Sequence, residues 1–308
     1  MSGPAISAIV CVYNRRDTLP DCLAALARQS LDAARGEVIV VDNNSTDGSR
    51  EIAEAFAARH RQFRVVREEK QGLAAARNRG MREARSPIAA FTDDDAIPAD
   101  DWLERLLARF ETLDESVVAV GGELDPVWET PRPDWLTGDK LHHALSVSLG
   151  WSRYARYLAG TEWLCEANSA YRIAPVQERG GFPESLGRIG NNLLSGENAI
   201  NELLLRDGLR FFFDPEIRVK HQIARGRLTK DWFRRRFFWQ GVTTYLVRKY
   251  LQEQGGAVET SSVVAVPMNE KSWTGLWSDD DDETFHEALG HVYGMGYTLA
   301  ASNLLGGR

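Results

Sequence analysis

The chain has 308 residues, a length that suits one large domain or two small ones. Its 43% hydrophobic and 26% charged residues match a soluble globular protein, which excludes a disordered or a fibrous chain. A formal net charge of −7 argues against bulk nucleic-acid binding, so no nucleic-acid partner is expected.

Residues 6–12 are a β-rich apolar run that stops at Tyr13-Asn14-Arg15. The stretch AISAIVCVY is half the length of a membrane span and has no basic region before it, so neither a spanning helix nor a signal peptide is expected. Leu19, Leu23, Leu26 and Ala27 then fall at helical spacing. Residues 38–41 form a second apolar strand ending abruptly at Asp42, followed by a turn rich in Asn, Ser and Gly and a helix carrying Ile52, Ala55 and Phe56. A short strand at Val65-Val66 leads to a helix over about 73–84, and residues 88–91 form a fourth strand ending at Thr92 and three aspartates. Such alternation predicts βαβ units, hence an α/β fold with a mostly parallel sheet and helices on both faces. In a parallel sheet the polar ends Tyr13-Asn14, Asp42-Asn43-Asn44 and Asp93-Asp94-Asp95 share one edge, where ligands bind.

An amphipathic helix is predicted over 101–111, and from about Glu123 to Trp163 the pattern loosens into an excursion with three prolines and four tryptophans. Order returns at 168–173, with a Gly180-Gly181-Phe182 turn, a helix over about 195–206, and closing strands at 210–213 and 217–221. Helical segments are predicted over 228–252 and 282–304, with the run 279–283 capping the last. Cys11, Cys22 and Cys165 lack metal-ligand spacing and read as reduced thiols of a cytoplasmic protein.

The chemistry concentrates in FTDDDAIP, residues 91–98. Adjacent carboxylates raise one another's pKa, a cost that a divalent cation removes, and oxygen ligands of this kind suit Mg²⁺ or Mn²⁺. A solvated turn capping the helix near Pro98 is the other reading. An acid at the position of Asp42 commonly binds ribose or a base edge, although Asn44, Ser45 and Asp47 would equally serve an Asx turn and helix cap. No GxGxxG or Walker lysine follows the first strand, which tilts the reading from dehydrogenase or NTPase toward a metal-bridged nucleoside diphosphate.

With SAIVCVYNRRDTL, VVDNNSTDGS, GLAAARNRGM, FTDDDAIPADDWL, CEANSAYR, GGF, LLSGEN and FDPEIRVKH in that order, residues 5–250 resemble a family 2 glycosyltransferase of the GT-A fold. The resemblance implies a metal-dependent, inverting hexosyl- or N-acetylhexosaminyltransferase using a nucleoside-diphosphate sugar, UDP-sugar favoured, at the inner face of the membrane or in the cytosol. Its acceptor would be a glycan, a lipid-linked saccharide or a glycosylated metabolite. It further implies a catalytic domain over 1–222, split into a nucleotide-sugar half (1–120) and an acceptor half (121–222), with a helical extension over 223–308.

On that resemblance Val12, Tyr13, Asn14, Arg15, Asp42, Asn44, Arg77, Asp93 and Asp94 bind the nucleotide sugar, and Asp95, Asp93 and His221 hold the metal. Glu166, Asn168 and Trp163 line the donor-sugar or acceptor region. The family usually carries a second acid where this chain has Asn198, leaving Glu197 as the base within the motif, with Glu202 as an alternative. Asn198 also motivates a catalytically silent nucleotide-sugar or glycan binder, and a sugar-1-phosphate nucleotidyltransferase is a third reading. The basic, aromatic stretch 227–251 is expected either to lie on an anionic membrane or to pack inward with a cationic edge toward phosphate or another subunit of a homo-oligomer. The nine tryptophans would serve sugar stacking or the core.

Overall fold

A computed structural model describes residues 3–190, 192–255 and 282–304. Its strands are β1 (Ile6–Val12), β2 (Gly36–Asp42), β3 (Phe63–Arg67), β4 (Ile88–Asp93), β5 (Ala96–Pro98), β6 (Val117–Trp128), β7 (Arg156–Tyr157), β8 (Ser169–Arg172) and β9 (Arg210–Ile223). The helices are α1 (Leu19–Ala27), α2 (Ser49–Ala57), α3 (Leu73–Glu83), α4 (Trp102–Thr112), α5 (Asp139–Ala144), α6 (Ile173–Glu178), α7 (Ala199–Arg206), α8 (Lys230–Glu253) and α9 (Asp282–Ala301).

The described chain divides into two compact units: Met1–Val127, Ser146–Phe182 and Ile200–Gln222 in the first, and Trp128–Leu145, Pro183–Ala199 and Ile223–Arg308 in the second. The second unit therefore also draws on two stretches from inside the segment that the sequence assigns to the catalytic domain.

In the first unit one sheet runs β3-β2-β1-β4-β8-β6-β9-β5, with β7 on β9. The β3-β2-β1-β4 half is parallel, as β-branched runs buried on both faces require. Beyond β4 the described pairings to β8, β6 and β9 are antiparallel. The register sets Val12 opposite Asp42 and Cys11 opposite Asp93, so the three polar strand ends do lie on one edge. Helix α3 approaches β1 so closely that a methyl group on Gly80 would collide with Ile9. That contact fixes how deep Arg77, one turn earlier, sits.

Three departures from the sequence reading matter. Strand β6 runs through residues 123–128, where the pattern seemed to loosen, because two glycines and Pro126 mask its alternation. The two closing strands are one strand, β9, which passes through Pro215. The Asp214 carboxylate braces that point, accepting from Glu216 N at 2.9 Å and from Arg109 Nε at 2.8 Å. After the aspartates the chain folds back as β5 and pairs Ala96 with His221.

In the second unit Thr229 Oγ1 caps α8 by accepting from Trp232 N at 3.2 Å. Several of the α8 cations are used inside this unit: Lys230 pairs with Asp282 at 2.9 Å, Arg234 with Asp231 at 2.8 Å, and Arg236 donates to Leu193 O at 2.8 Å. Trp135 meets Phe233 and Phe285 edge to face at 5.5 and 5.4 Å, a core role for one of the surplus tryptophans. Among the described residues no helix is long and apolar enough to cross a membrane. The expected cap at 279–283 falls partly outside the described residues; Asp282 and Glu283 open α9.

Candidate active site

The loop after β1 is stapled to the loop after β2. The backbone amides of Asn14, Arg15 and Arg16 donate to Ser45 Oγ at 3.2 Å, Ser49 Oγ at 2.8 Å and Asp47 Oδ2 at 3.0 Å. Asn14, in the left-handed region at φ 55°, returns a bond by accepting from Thr46 N at 2.8 Å. Partial burial pushes the Asp47 carboxyl up, but hydrogen bonds from Ser49 and the Arg16 amide outweigh it and hold the group below its ordinary value. The STDGS sequence thus acts as a set of acceptors for the neighbouring loop. Tyr13 stands at the edge with 44% of its surface exposed.

Asp42 is buried at the end of β2 and accepts from Ser45 N at 3.1 Å. Asn43, which the sequence reading did not single out, clamps the loop before α3. Its amide donates to Glu68 O at 3.0 Å and Lys70 O at 2.8 Å, and its oxygen accepts from Gly72 N at 2.7 Å. Two expected nucleotide contacts also serve the protein: the Asn44 amide donates to Glu69 O at 2.9 Å and holds that same loop, and the Val12 carbonyl accepts from Asn43 N at 2.9 Å, with the Val12 side chain 1% exposed.

Arg77 is buried on α3, its Nη2 3.7 Å from Asp93 Oδ1 and its guanidinium 5.8 Å from the Phe182 ring. The neighbouring Asn78 secures that ring: it donates to Phe182 O and accepts from Phe182 N, both at 2.9 Å. The ARN and GGF motifs are therefore two halves of one clamp, 104 residues apart in sequence. That relation has no local signal.

In the aspartate triplet Asp93 keeps 36% of its side chain exposed while Asp94 and Asp95 are buried. Asp94 Oδ1 lies 3.3 Å from Arg15 Nε. Burial lowers the Arg15 pKa, but the charges of Asp94, Asp95 and Asp93 more than reverse this and raise it. Asp95 Oδ1 is 3.2 Å from His221 Nε2, and His221 Nδ1 is 3.2 Å from the Ser146 carbonyl.

A carbonyl only accepts, so Nδ1 carries a proton toward Ser146, and that tether turns Nε2 toward the Asp95 carboxylate. Backbone-tethered Nδ1–H is also the usual support of a ligating imidazole. Ligand atoms of Asp93, Asp95 and His221 all lie within 4.8 Å of one another, a span that bonds of about 2.1 Å to a shared ion can bridge. The two carboxylates and one imidazole fit Mn²⁺ or Mg²⁺. Cys11, facing Asp93 across the ladder, is pushed up to about 12 by burial and stays a neutral thiol.

Glu166 is buried and accepts from the Tyr171 hydroxyl at 3.3 Å; burial first, and Glu166 second, push that phenol well above its ordinary range. Trp163 is partly buried, its carbonyl accepting from Trp151 Nε1 at 2.8 Å with the rings 6.1 Å apart. Asn168, expected in the donor-sugar or acceptor region, lies in the core. It is 0% exposed, accepts from Trp102 Nε1 at 2.9 Å, and donates to Glu123 O at 2.8 Å and Ile217 O at 2.9 Å. It binds α4, β6 and β9 together. Asn168→Ala strands three buried partners at about 1–3 kcal/mol each, so the urea midpoint should fall sharply. Unchanged stability with altered sugar preference would restore the sugar-contact role. Glu197 lies in the turn Gly196–Asn198 of the second unit, just before α7.

Residues 7–145 match the family model for glycosyl transferase family 2. These residues are a family 2 glycosyltransferase domain. The chain is 37% identical over 199 residues to Glycosyltransferase AglE of Haloferax volcanii, covering 63% of this chain and 58% of AglE, so it spans little over half of that relative. It is 25% identical over 240 residues to the glucosyl-dolichyl phosphate glucuronosyltransferase of the same organism, covering 77% and 75% of the two chains. The mannosyltransferase PcManGT of Pyrobaculum calidifontis, solved with GDP-Man and Mn²⁺, superposes with a TM-score of 0.60 at 20% identity over 99% of this chain and 77% of that one. The family 2 domain accordingly has the GT-A fold, with C-terminal helices following it.

Proposed function

We propose that this chain transfers a hexosyl or N-acetylhexosaminyl group from a nucleoside-diphosphate sugar to a hydroxyl acceptor, with inversion and with a divalent cation held by Asp93, Asp95 and His221. The observation that carries the proposal is the convergence of Asp93, Asp95 and His221, with ligand atoms within 4.8 Å of one another, at the edge where β1, β2 and β4 end. The Mn²⁺ and GDP-Man bound by PcManGT support it.

Tyr13 and Asp42 flank the nucleoside, and Arg77 meets the diphosphate from the α3 side. When bound, the cation neutralises charge on the departing nucleoside diphosphate, a contribution of several kcal/mol. Glu197 takes the acceptor proton, and a single displacement inverts the anomeric centre. The acceptor is a glycan, a lipid-linked saccharide or a small glycoside, reached from the cytoplasmic side; a peripheral membrane contact would use the exposed part of 227–251.

Nucleotide release from a panel of UDP-, GDP- and dTDP-sugars with Mn²⁺ tests this. Turnover of at least one donor, abolished by EDTA and restored by Mn²⁺, is expected. Nucleotide binding without turnover of any donor overturns it in favour of a silent binder.

A further inference from the structure

We infer that the amino-terminal edge of the sheet carries a second ligand site, for a small phosphorylated metabolite. A parallel sheet gathers its strand starts on one edge as it gathers its strand ends on the other. Here the segments entering β1, β2, β3 and β4 surround a cavity of about 360 Å³, a volume suited to a small molecule. Arg61, Arg64 and Arg85 line it against a single acid, Glu37.

Glu37 is buried and already satisfied. It accepts from Ser7 Oγ and Arg85 N at 2.7 Å each and from Arg64 Nε at 3.1 Å. Arg64 is spent in turn, because it also holds Glu83, whose carboxyl it keeps below its ordinary value. The guanidinium groups of Arg61 and Arg85 have no acidic partner among the described residues. The cavity therefore presents two surplus positive charges beside a wall that includes Pro4, Ala33 and Ala34. Paired forks of this kind suit a phosphomonoester, with its carbon body on that wall.

The seven-residue β1 separates this cavity from the aspartate edge by roughly 20 Å, so the two ligands bind independently in space.

Calorimetry with glucose 6-phosphate tests the assignment. Wild type is expected to bind with a Kd below about 1 mM, with or without saturating UDP and Mn²⁺, and Asp95→Asn should bind equally well. The double variant Arg61→Ala/Arg85→Ala, altered only at exposed positions, should lose at least tenfold while keeping its thermal midpoint. Inorganic phosphate, lacking a carbon body, should bind more weakly. Absence of heat up to 10 mM, equal binding by the double variant, equal affinity for inorganic phosphate, or displacement by UDP would each overturn it.

Discussion

Asp95→Asn is expected to remove Mn²⁺-dependent nucleotide release, lowering turnover by about a thousandfold or more. On the proposed metal role, the size follows from losing an oxygen ligand to an ion that would stabilise the leaving group by several kcal/mol, at about 1.4 kcal/mol per tenfold. The substitution is a fair test because an Asn amide can donate to His221 Nε2 and keep the 3.2 Å contact. The fold should therefore survive, and a calorimetric Mn²⁺ titration should show the affinity gone. Turnover within tenfold of wild type would sink the metal assignment.

Glu197→Gln is expected to lower kcat by about 10²–10⁴ while leaving the donor KM and Mn²⁺ affinity unchanged, since a general base acts on the acceptor proton only in the transition state. Asn198 beside it cannot take a proton. The acidic limb of the pH–rate profile should flatten in the variant. A kcat within threefold of wild type would move the base elsewhere, with the exposed first-turn acid of α7, Glu202, the next to replace.

The parts of this protein legible from its sequence are those whose signal is local. Four apolar runs that break off at polar residues announced β1 to β4 and the edge they share. The aspartate triplet marked the strand end where Asp93 and Asp95 meet His221. Long-range pairings stayed hidden: Asn78 clamping Phe182, or β5 folding back to set Ala96 against His221. Strand β6 escaped notice because its glycines serve close approach, with a methyl group on Gly122 colliding with the Ile217 carbonyl. Asn168 is another such case. Its residue type suits a sugar contact, but three buried protein groups already consume its amide.

The staple between the first two loops has an evolutionary corollary. Its bonds to positions 15 and 16 start from backbone amides, which every residue except proline supplies. The course of the loop is thus indifferent to which side chains stand there, while the Arg15 side chain reaches Asp94 at 3.3 Å. Selection can rewrite positions 15 and 16 to suit a new donor without renegotiating the path of the chain, so the scaffold and its specificity can drift on separate clocks.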